Sequence, residues 1–249
     1  MRMLEGGFSR NPTVFLDDGG VMNDNERRGH QWQRLVGEFM APRLGGTARD
    51  WSAANSAAFE TVFKRYLPRL RQEPLSTFWD DYLFDWLRMM CERVGVGVPA
   101  REESVSIAWE ANAYVTRRVH AAFPGAVEAI RQLHARGCRL HTASGEHSGD
   151  LAGYLDAMGV RDLFGRLYGP DLVARPLNGP QYYRRLFEDS GVNAAESIVV
   201  DDSLERARRA IDAGASAVLV SQDAPAAVSN CPIISSLGEL PRLVDAING

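Results

Sequence analysis

The spacing of hydrophobic residues along this chain separates two kinds of structure. Short, continuous apolar runs, typical of buried parallel strands, occur near the start and throughout the second half of the sequence. Between about residues 25 and 116, apolar residues instead recur at helical spacing, and strand-like runs are nearly absent. The pattern therefore predicts a core domain formed by residues 1–24 and 118–249, with a helical domain inserted at residues 25–117.

Strands and helices are expected to alternate in the core. The predicted strands are Thr13–Leu16, Arg139–Thr142, Arg166–Tyr168, Ser197–Val200, Ala217–Val220 and a weak one at Pro232–Ile234. The predicted helices lie within residues 123–137, 149–160, 180–190, 204–213 and 237–247. Alternation at such short spacing predicts an α/β fold with a doubly wound parallel sheet.

Three of the predicted strands end in polar residues that suit a reaction site. Asp17 follows the first strand, Thr142 ends the second, and Asp201 and Asp202 follow the fourth. Ligands of parallel α/β sheets bind beyond the carboxyl ends of the strands, so these residues are expected to converge. Carboxylates gathered there would repel one another, and a hard divalent cation such as Mg²⁺ would remove that repulsion. Alternatively, the acids only cap the helices that follow them.

The sequence around these residues resembles the motifs of the haloacid dehalogenase superfamily. VFLDDGGVMND is similar to its first motif, LHTASG to its second and IVVDDS to its fourth. The motifs occur in the same order and at matching separations, and the helical insert lies where that superfamily places its first-type cap. The resemblance covers the whole chain and implies a Rossmann-like core with an inserted cap domain that selects the substrate.

The resemblance implies roles for the acids of the first and fourth motifs. Asp17 would be both the nucleophile and a ligand of Mg²⁺, and the backbone carbonyl of Gly19 would be a second ligand. Asp202 would be the main acidic ligand from the fourth motif, with Asp201 beside it or acting through a water molecule. The implied reaction proceeds in two steps through a covalent aspartyl intermediate, which water then resolves.

The resemblance also implies how the substrate is bound. Thr142 would donate its hydroxyl to a substrate oxygen. Backbone amides near Ala143 and Ser144, at the start of a helix, would join it. Asp18 and Gly19, which follow the nucleophile directly, complete the predicted substrate-binding set.

The first motif departs from the superfamily pattern at Gly19. Phosphatases of this superfamily carry a second aspartate there, which protonates the leaving group and then activates water, a contribution typically of ~10²–10⁴-fold in rate. Glycine can do neither. The adjacent Asp18 is an alternative acid, although in an extended segment its side chain should point away from that of Asp17.

The third motif departs as well, because the lysine that it normally carries is missing. Lys64 is the only lysine, and it lies inside the helical insert. Arg175 is the nearest cation in a comparable place, and Arg184 and Arg185 are alternatives that are expected to be surface charges. Arginine can offset anionic charge, but it is bulkier and more fixed in geometry than lysine. In the fourth motif, Glu205 lies one place short of the usual later acid.

These departures leave three hypotheses for the function. The paired acids favour a Mg²⁺-dependent hydrolase that acts on a small phosphorylated metabolite through Asp17. The missing acid at Gly19 favours a dehalogenase-like attack of Asp17 on carbon, because a halide leaves without a proton. The loss of both the second aspartate and the lysine favours a non-catalytic binding or regulatory protein on the same fold.

The composition of the chain indicates which classes of binding partner to expect. The chain is 45% hydrophobic and 24% charged, with a net charge of −4, so nucleic acid is not an expected partner. No apolar run approaches the ~20 residues that span a bilayer, and the first twelve residues lack the apolar stretch of a signal peptide. We therefore expect a cytoplasmic protein, monomeric or homodimeric, with a small-molecule substrate.

The insert is rich in aromatic residues. It carries all five tryptophans, namely Trp32, Trp51, Trp79, Trp86 and Trp109. They either fill the core of a small helical bundle or line a cavity for an apolar group. Their helical spacing favours the bundle core.

Overall fold

The structure is a computed structural model that describes residues 11–66, 68–69, 77–173, 181–221 and 231–248. The chain divides into two compact units. The core unit comprises the segment up to Asn25, together with Ala121–Leu151 and the segment from Met158 onward. The inserted unit comprises Glu26–His120 and Ala152–Ala157.

The core unit is built on a six-stranded parallel sheet with the strand order β3-β2-β1-β4-β5-β6. The strands are β1 Thr13–Leu16, β2 Arg139–Ala143, β3 Phe164–Tyr168, β4 Ser197–Asp201, β5 Ser216–Val220 and β6 Ile233–Ile234. This sheet confirms the predicted α/β class. Strand β3 begins two residues earlier than the sequence pattern predicts.

Strand β1 lies between β2 and β4 in the middle of the sheet. All four of its residues are buried, as are all five residues of β4. Continuous burial of this kind is typical of parallel strands that are covered on both faces. Leu16, the last residue of β1, pairs with Thr142 on one side and with Val200 on the other.

The helices that follow these strands are α5 Ala126–Ala135, α6 Ser148–Met158, α7 Pro170–Val173, α8 Tyr182–Ser190, α9 Leu204–Asp212 and α10 Leu240–Asn248. The sequence pattern does not predict α7, because a single turn is too short to show helical periodicity. Helix α9 begins directly after β4, where the hydroxyl of Ser203 accepts a hydrogen bond from the backbone N–H of Arg206 at 3.4 Å. This cap positions the first turn of α9 close to the end of β4.

Helices α1 Asn25–Leu44, α2 Ala48–Tyr66, α3 Phe78–Val94 and α4 Arg101–Thr116 make up most of the inserted unit. Trp51 and Trp86 are buried within it. Trp51 Nε1 donates to the carbonyl of Gly45 at 2.7 Å, and Trp86 Nε1 donates to Asn55 Oδ1 at 2.9 Å. These two tryptophans therefore belong to the unit's own core. None of the described helices has the length of apolar sequence that crossing a bilayer would require.

Candidate active site

The register of the central strands places two aspartates side by side. Leu16 pairs with Val200, so the next residues, Asp17 and Asp201, lie side by side where the two strands end. The backbone N–H of Asp17 donates to the carbonyl of Val200 at 3.0 Å. With Asp202, they form an acid cluster whose potential ligand oxygens all lie within 4.8 Å of one another. The structure thus brings together the acids of the first and fourth motifs at the carboxyl edge of the sheet.

Asp17 is nearly fully buried, with 4% of its surface exposed. Its Oδ1 accepts a hydrogen bond from the backbone N–H of Asp18 at 2.8 Å, and the hydroxyl of Ser144 donates to its carboxylate. Burial and the charge of Asp201 hold the pKa of Asp17 well above its ordinary value, although Arg206 and the hydrogen bonds act against them. The ionised form that nucleophilic attack requires therefore depends on a neighbouring cation.

A guanidinium group lies among these carboxylates. Arg206, in the first turns of α9, donates from Nε to both carboxylate oxygens of Asp201 at 2.8 Å. Its Nη2 donates to Asp17 Oδ2 at 2.9 Å and to Asp202 Oδ1 at 2.5 Å. Burial opposes the charged form, but the hydrogen bond to Asp201 and the charges of the three acids outweigh it and raise the pKa of Arg206. Arg206 is therefore a permanent positive charge within the acid cluster.

Gly20 allows Asp202 to approach the first motif. Its φ of 85° is in the left-handed region, and a Cβ at this position would lie 2.0 Å from Asp202 Oδ2. Glycine meets both requirements because it has no Cβ. Burial raises the pKa of Asp202, and the nearby charge of Arg206 counteracts that rise.

Asp18 takes part in the loop that continues the first motif. It is fully buried, and its Oδ1 accepts a hydrogen bond from Asn23 Nδ2 at 2.7 Å. Its backbone carbonyl also accepts from the N–H groups of Met22 and Asn23, each at 2.9 Å. The contact with Asn23 agrees with the expected alternation of side chains and indicates a structural role in this loop.

The second motif brings the hydroxyl of Ser144 to Asp17. Thr142, which is fully buried, donates its own hydroxyl to the carbonyl of Tyr168 in β3 at 3.3 Å. Ala143 is the buried last residue of β2, and Ser144 follows it directly. The role predicted for Thr142 toward a substrate oxygen thus remains a prediction, because in this structure its hydroxyl is bonded within the sheet.

Two buried tyrosines of α8 support the same region. The hydroxyl of Tyr182 donates to the backbone carbonyls of Ser144 and Tyr168, each at 3.1 Å. The hydroxyl of Tyr183 donates to Asp201 Oδ2 at 3.4 Å. Burial, together with the nearby carboxylates, raises the pKa of both tyrosines well above the ordinary value. Both hydroxyls therefore stay protonated and act as donors.

The cation predicted at Arg175 lies outside the described residues. Arg184 and Arg185 are exposed on α8, and Arg185 pairs with Glu188 at 3.4 Å, as expected of surface charges. Within the described part of the chain, Arg206 is the cation that contacts the acid cluster.

The donors of the acid cluster fit Mg²⁺ in kind and in charge. With all three carboxylates ionised, the acids would carry −3 and Arg206 carries +1, and −3 + 1 leaves −2, which one divalent cation would neutralise. The space between Asp17 Oδ2 and Asp202 Oδ1, however, holds Nη2 of Arg206. An ion held by both oxygens would need the space that Nη2 fills.

Comparison with known proteins agrees with this geometry. Residues 13–214 match the model of the haloacid dehalogenase-like hydrolase family. The chain belongs to that family. The resemblance of its motifs is thereby confirmed, and so is the expectation that the protein is a hydrolase.

Relatives of this haloacid dehalogenase-like hydrolase include both phosphatases and dehalogenases. A phosphoglycolate phosphatase from Rhodospirillum rubrum is 30% identical over 99 residues, which are 40% of this chain and 41% of that protein. The aligned part therefore spans less than half of the curated relative.

Solved structures of three proteins share the fold. An L-2-haloacid dehalogenase from Xanthobacter autotrophicus with chloropropionic acid covalently bound is 17% identical, with a TM-score of 0.58 over 94% of this chain and 98% of that one. A HAD phosphatase from Thermococcus onnurineus is 17% identical, with a TM-score of 0.54 over 94% and 97%. The HAD-hydrolase YfnB from Bacillus subtilis, bound to magnesium, is 16% identical, with a TM-score of 0.62 over 95% and 100%. At these identities the likeness shows the fold alone.

Sequence reasoning missed three residues of the site. Arg206 occupies the place after Glu205 where the superfamily pattern has its later acid, and it follows Asp202 by four residues, one turn of helix. That spacing is the signal that could have found it. Tyr182 and Tyr183 carry no comparable signal, because their position depends on how α8 packs on the sheet.

Proposed function

We propose that this protein hydrolyses small phosphate monoesters through a covalent intermediate on Asp17, with Mg²⁺ as the cofactor. The observation that carries the proposal is the buried carboxylate of Asp17 at the end of β1, with Asp202 nearby and Arg206 in contact with both. The partial similarity to a phosphoglycolate phosphatase supports a phosphorylated substrate.

The reaction would take place in two steps at Asp17. A carboxylate oxygen of Asp17 attacks phosphorus, and the bond from phosphorus to the leaving oxygen breaks, with its electron pair going to that oxygen. Ser144 and the backbone N–H of Asp18 orient the carboxylate during this step. A water molecule then attacks phosphorus, and inorganic phosphate leaves while the carboxylate of Asp17 is regenerated.

The bound cation and the leaving group together determine which phosphate esters would react. Asp17, Asp202 and the carbonyl of Gly19 would hold Mg²⁺, which when bound offsets negative charge on the phosphoryl oxygens. Gly19 supplies no proton, so the leaving oxygen departs as an anion or takes a proton from water. We therefore expect phosphate esters with acidic leaving groups to be the better substrates.

An assay of phosphate monoesters with Mg²⁺, including aryl phosphates, tests the proposal. Asp17→Asn should lower kcat/KM by at least about a thousandfold, because it removes the nucleophile. Asp212→Asn makes the same change at an exposed position of α9 and should retain activity. Mass spectrometry of acid-quenched enzyme should detect one phosphoryl group on Asp17. Undiminished activity in Asp17→Asn would refute the proposal.

A second candidate, dehalogenation, is favoured by Gly19 and by the charge of Arg206. Asp17 would attack the carbon that bears the halogen, the halide would leave with the bonding pair, and water would hydrolyse the resulting ester. Neither a proton donor nor a metal ion is needed for the first step. Halide release from a 2-haloacid in the presence of a chelator, without phosphatase activity, would replace the first proposal by this one.

A further inference from the structure

We propose that Arg206 is the resident cation of the acid cluster and competes with Mg²⁺ for the position between Asp17 and Asp202. The inference rests on the Mg²⁺ site of the proposed function and adds a residue that regulates its occupation. Its basis is the placement of a single nitrogen atom, Nη2, which donates to one oxygen of each of these two acids.

Nη2 of Arg206 lies between two of the carboxylates that would hold the cation. It is 2.9 Å from Asp17 Oδ2 and 2.5 Å from Asp202 Oδ1. Mg²⁺ coordinates oxygen at about 2.0–2.1 Å, so an ion shared by these two oxygens needs the same space. The guanidinium and the ion therefore exclude each other at this point.

The other end of the guanidinium has a separate anchor. Nε donates to both oxygens of Asp201 at 2.8 Å, and Asp201 is itself held by the backbone N–H of Ser203 at 2.7 Å. Nε and Nη2 belong to one planar group, so the guanidinium turns as a whole when Nη2 moves away, and the hydrogen bonds of Nε to Asp201 change with it. The charge of Asp201 keeps Arg206 beside the cluster, and the contacts of Nη2 with Asp17 and Asp202 are lost when the ion binds.

Loss of these contacts lowers the affinity for Mg²⁺. Both are charge-assisted hydrogen bonds, which are stronger than neutral ones, and the ion must replace them. Binding of the ion is thereby linked to displacement of the guanidinium, so the apparent affinity of the intact protein is weaker than that of the acid cluster alone.

Isothermal titration of Mg²⁺ into the metal-free protein tests the competition. Arg206→Gln should bind Mg²⁺ at least about tenfold more tightly than the wild type, because the competitor is gone. Arg209→Gln is the matched control: it removes the same charge from the same helix, where Arg209 pairs with Glu205 at 2.5 Å. It should bind Mg²⁺ like the wild type.

The outcomes separate this inference from the proposed function. Equal or weaker binding in Arg206→Gln, with measurable binding in the wild type, overturns the competition and leaves the Mg²⁺ site intact. No binding in any of the three proteins overturns both. If Arg206→Gln does not fold, Arg206→Lys replaces it as the test. Lysine keeps the charge but has no guanidinium group to contact Asp201 and the other two acids at once. Its melting temperature should then rise more with Mg²⁺ than that of the wild type, and an equal rise overturns the competition.

Discussion

Two adjacent glycines of the first motif have different roles. Gly20 has a left-handed backbone and lies close to Asp202, so a side chain there would be strained and would have to displace Asp202. Gly19 instead stands where phosphatases of the superfamily carry a proton donor. The backbone geometry around Asp17 is therefore kept while one chemical group is missing.

Restoring that group should change which substrates react. In the proposed phosphatase, Gly19→Asp should raise kcat/KM for alkyl phosphates by about 10–10³-fold and leave that of aryl phosphates nearly unchanged, because kcat/KM reports the first step, in which only poor leaving groups need a proton. The measurement is kcat/KM across esters of graded leaving-group pKa. Gly20→Ala is the control and should lower the melting temperature, since its Cβ meets Asp202. A uniform gain in kcat/KM across all esters would contradict the role of the missing acid in protonating the leaving group.

At the scale of elements, neighbouring strands share a histidine that must stay neutral. His141 in β2 stacks on Phe15 of β1, with ring centroids 5.3 Å apart. Its Nδ1 accepts a hydrogen bond from the backbone N–H of Arg166 in β3 at 2.9 Å. Burial lowers the pKa of His141 below its ordinary value of 6.5. Because Nδ1 accepts this bond as the neutral form, the three strands pack best around an uncharged ring.

This histidine should make stability depend on pH. The unfolded chain binds the proton more readily than the folded one, so the stabilisation is complete above pH 6.5 and is lost as the pH falls from there through the lowered pKa. His141→Asn keeps an acceptor near Nδ1 but does not titrate. Urea unfolding at pH 7.5 and pH 5.5 should show a larger loss in the wild type than in His141→Asn. Equal losses would count against His141 as the source.

At the scale of the whole molecule, the insert leaves and re-enters the core unit at neighbouring points. The backbone N–H of Asp24 donates to the carbonyl of Ala121 at 2.9 Å, and that of Phe123 donates to the carbonyl of Met22 at 2.9 Å. The two chain ends of the core are therefore already joined by hydrogen bonds within the core unit. A short link could join these two ends without moving either of them.

Replacing residues 26–120 by a short Gly-Ser linker should leave a core that folds. Circular dichroism should show mixed helix and strand with a cooperative thermal transition, because the sheet and its buried strands are intact. The shortened protein should also lack tryptophan fluorescence, since all five tryptophans are removed. Tyr154 loses its hydrogen-bond partner Trp32, so Tyr154→Arg should accompany the deletion. A product without a cooperative transition would show that the core depends on the insert.

Much of the fold could be predicted because its signals are local. Apolar runs such as Thr13–Leu16 are long enough to identify buried strands, and the acids that follow them lie at one edge in any parallel sheet. The single turn of α7 escaped prediction because four residues show no helical periodicity. The early start of β3 escaped it because Gly165 separates Phe164 from the rest of the strand and interrupts the apolar run.

For the site, the sequence by itself determined that Asp17, Asp201 and Asp202 lie at the same edge of the sheet, since parallel strands all end there. Only the tertiary structure decided the strand order, which places β1 beside β4 and brings these acids together. Only the tertiary structure decided that the hydroxyl beside Asp17 belongs to Ser144, and that Arg206 bridges the three acids. The physical reason is the length of the side chain. A strand-end carboxylate is placed by the backbone, whereas a long arginine side chain takes the direction that its charged neighbours impose.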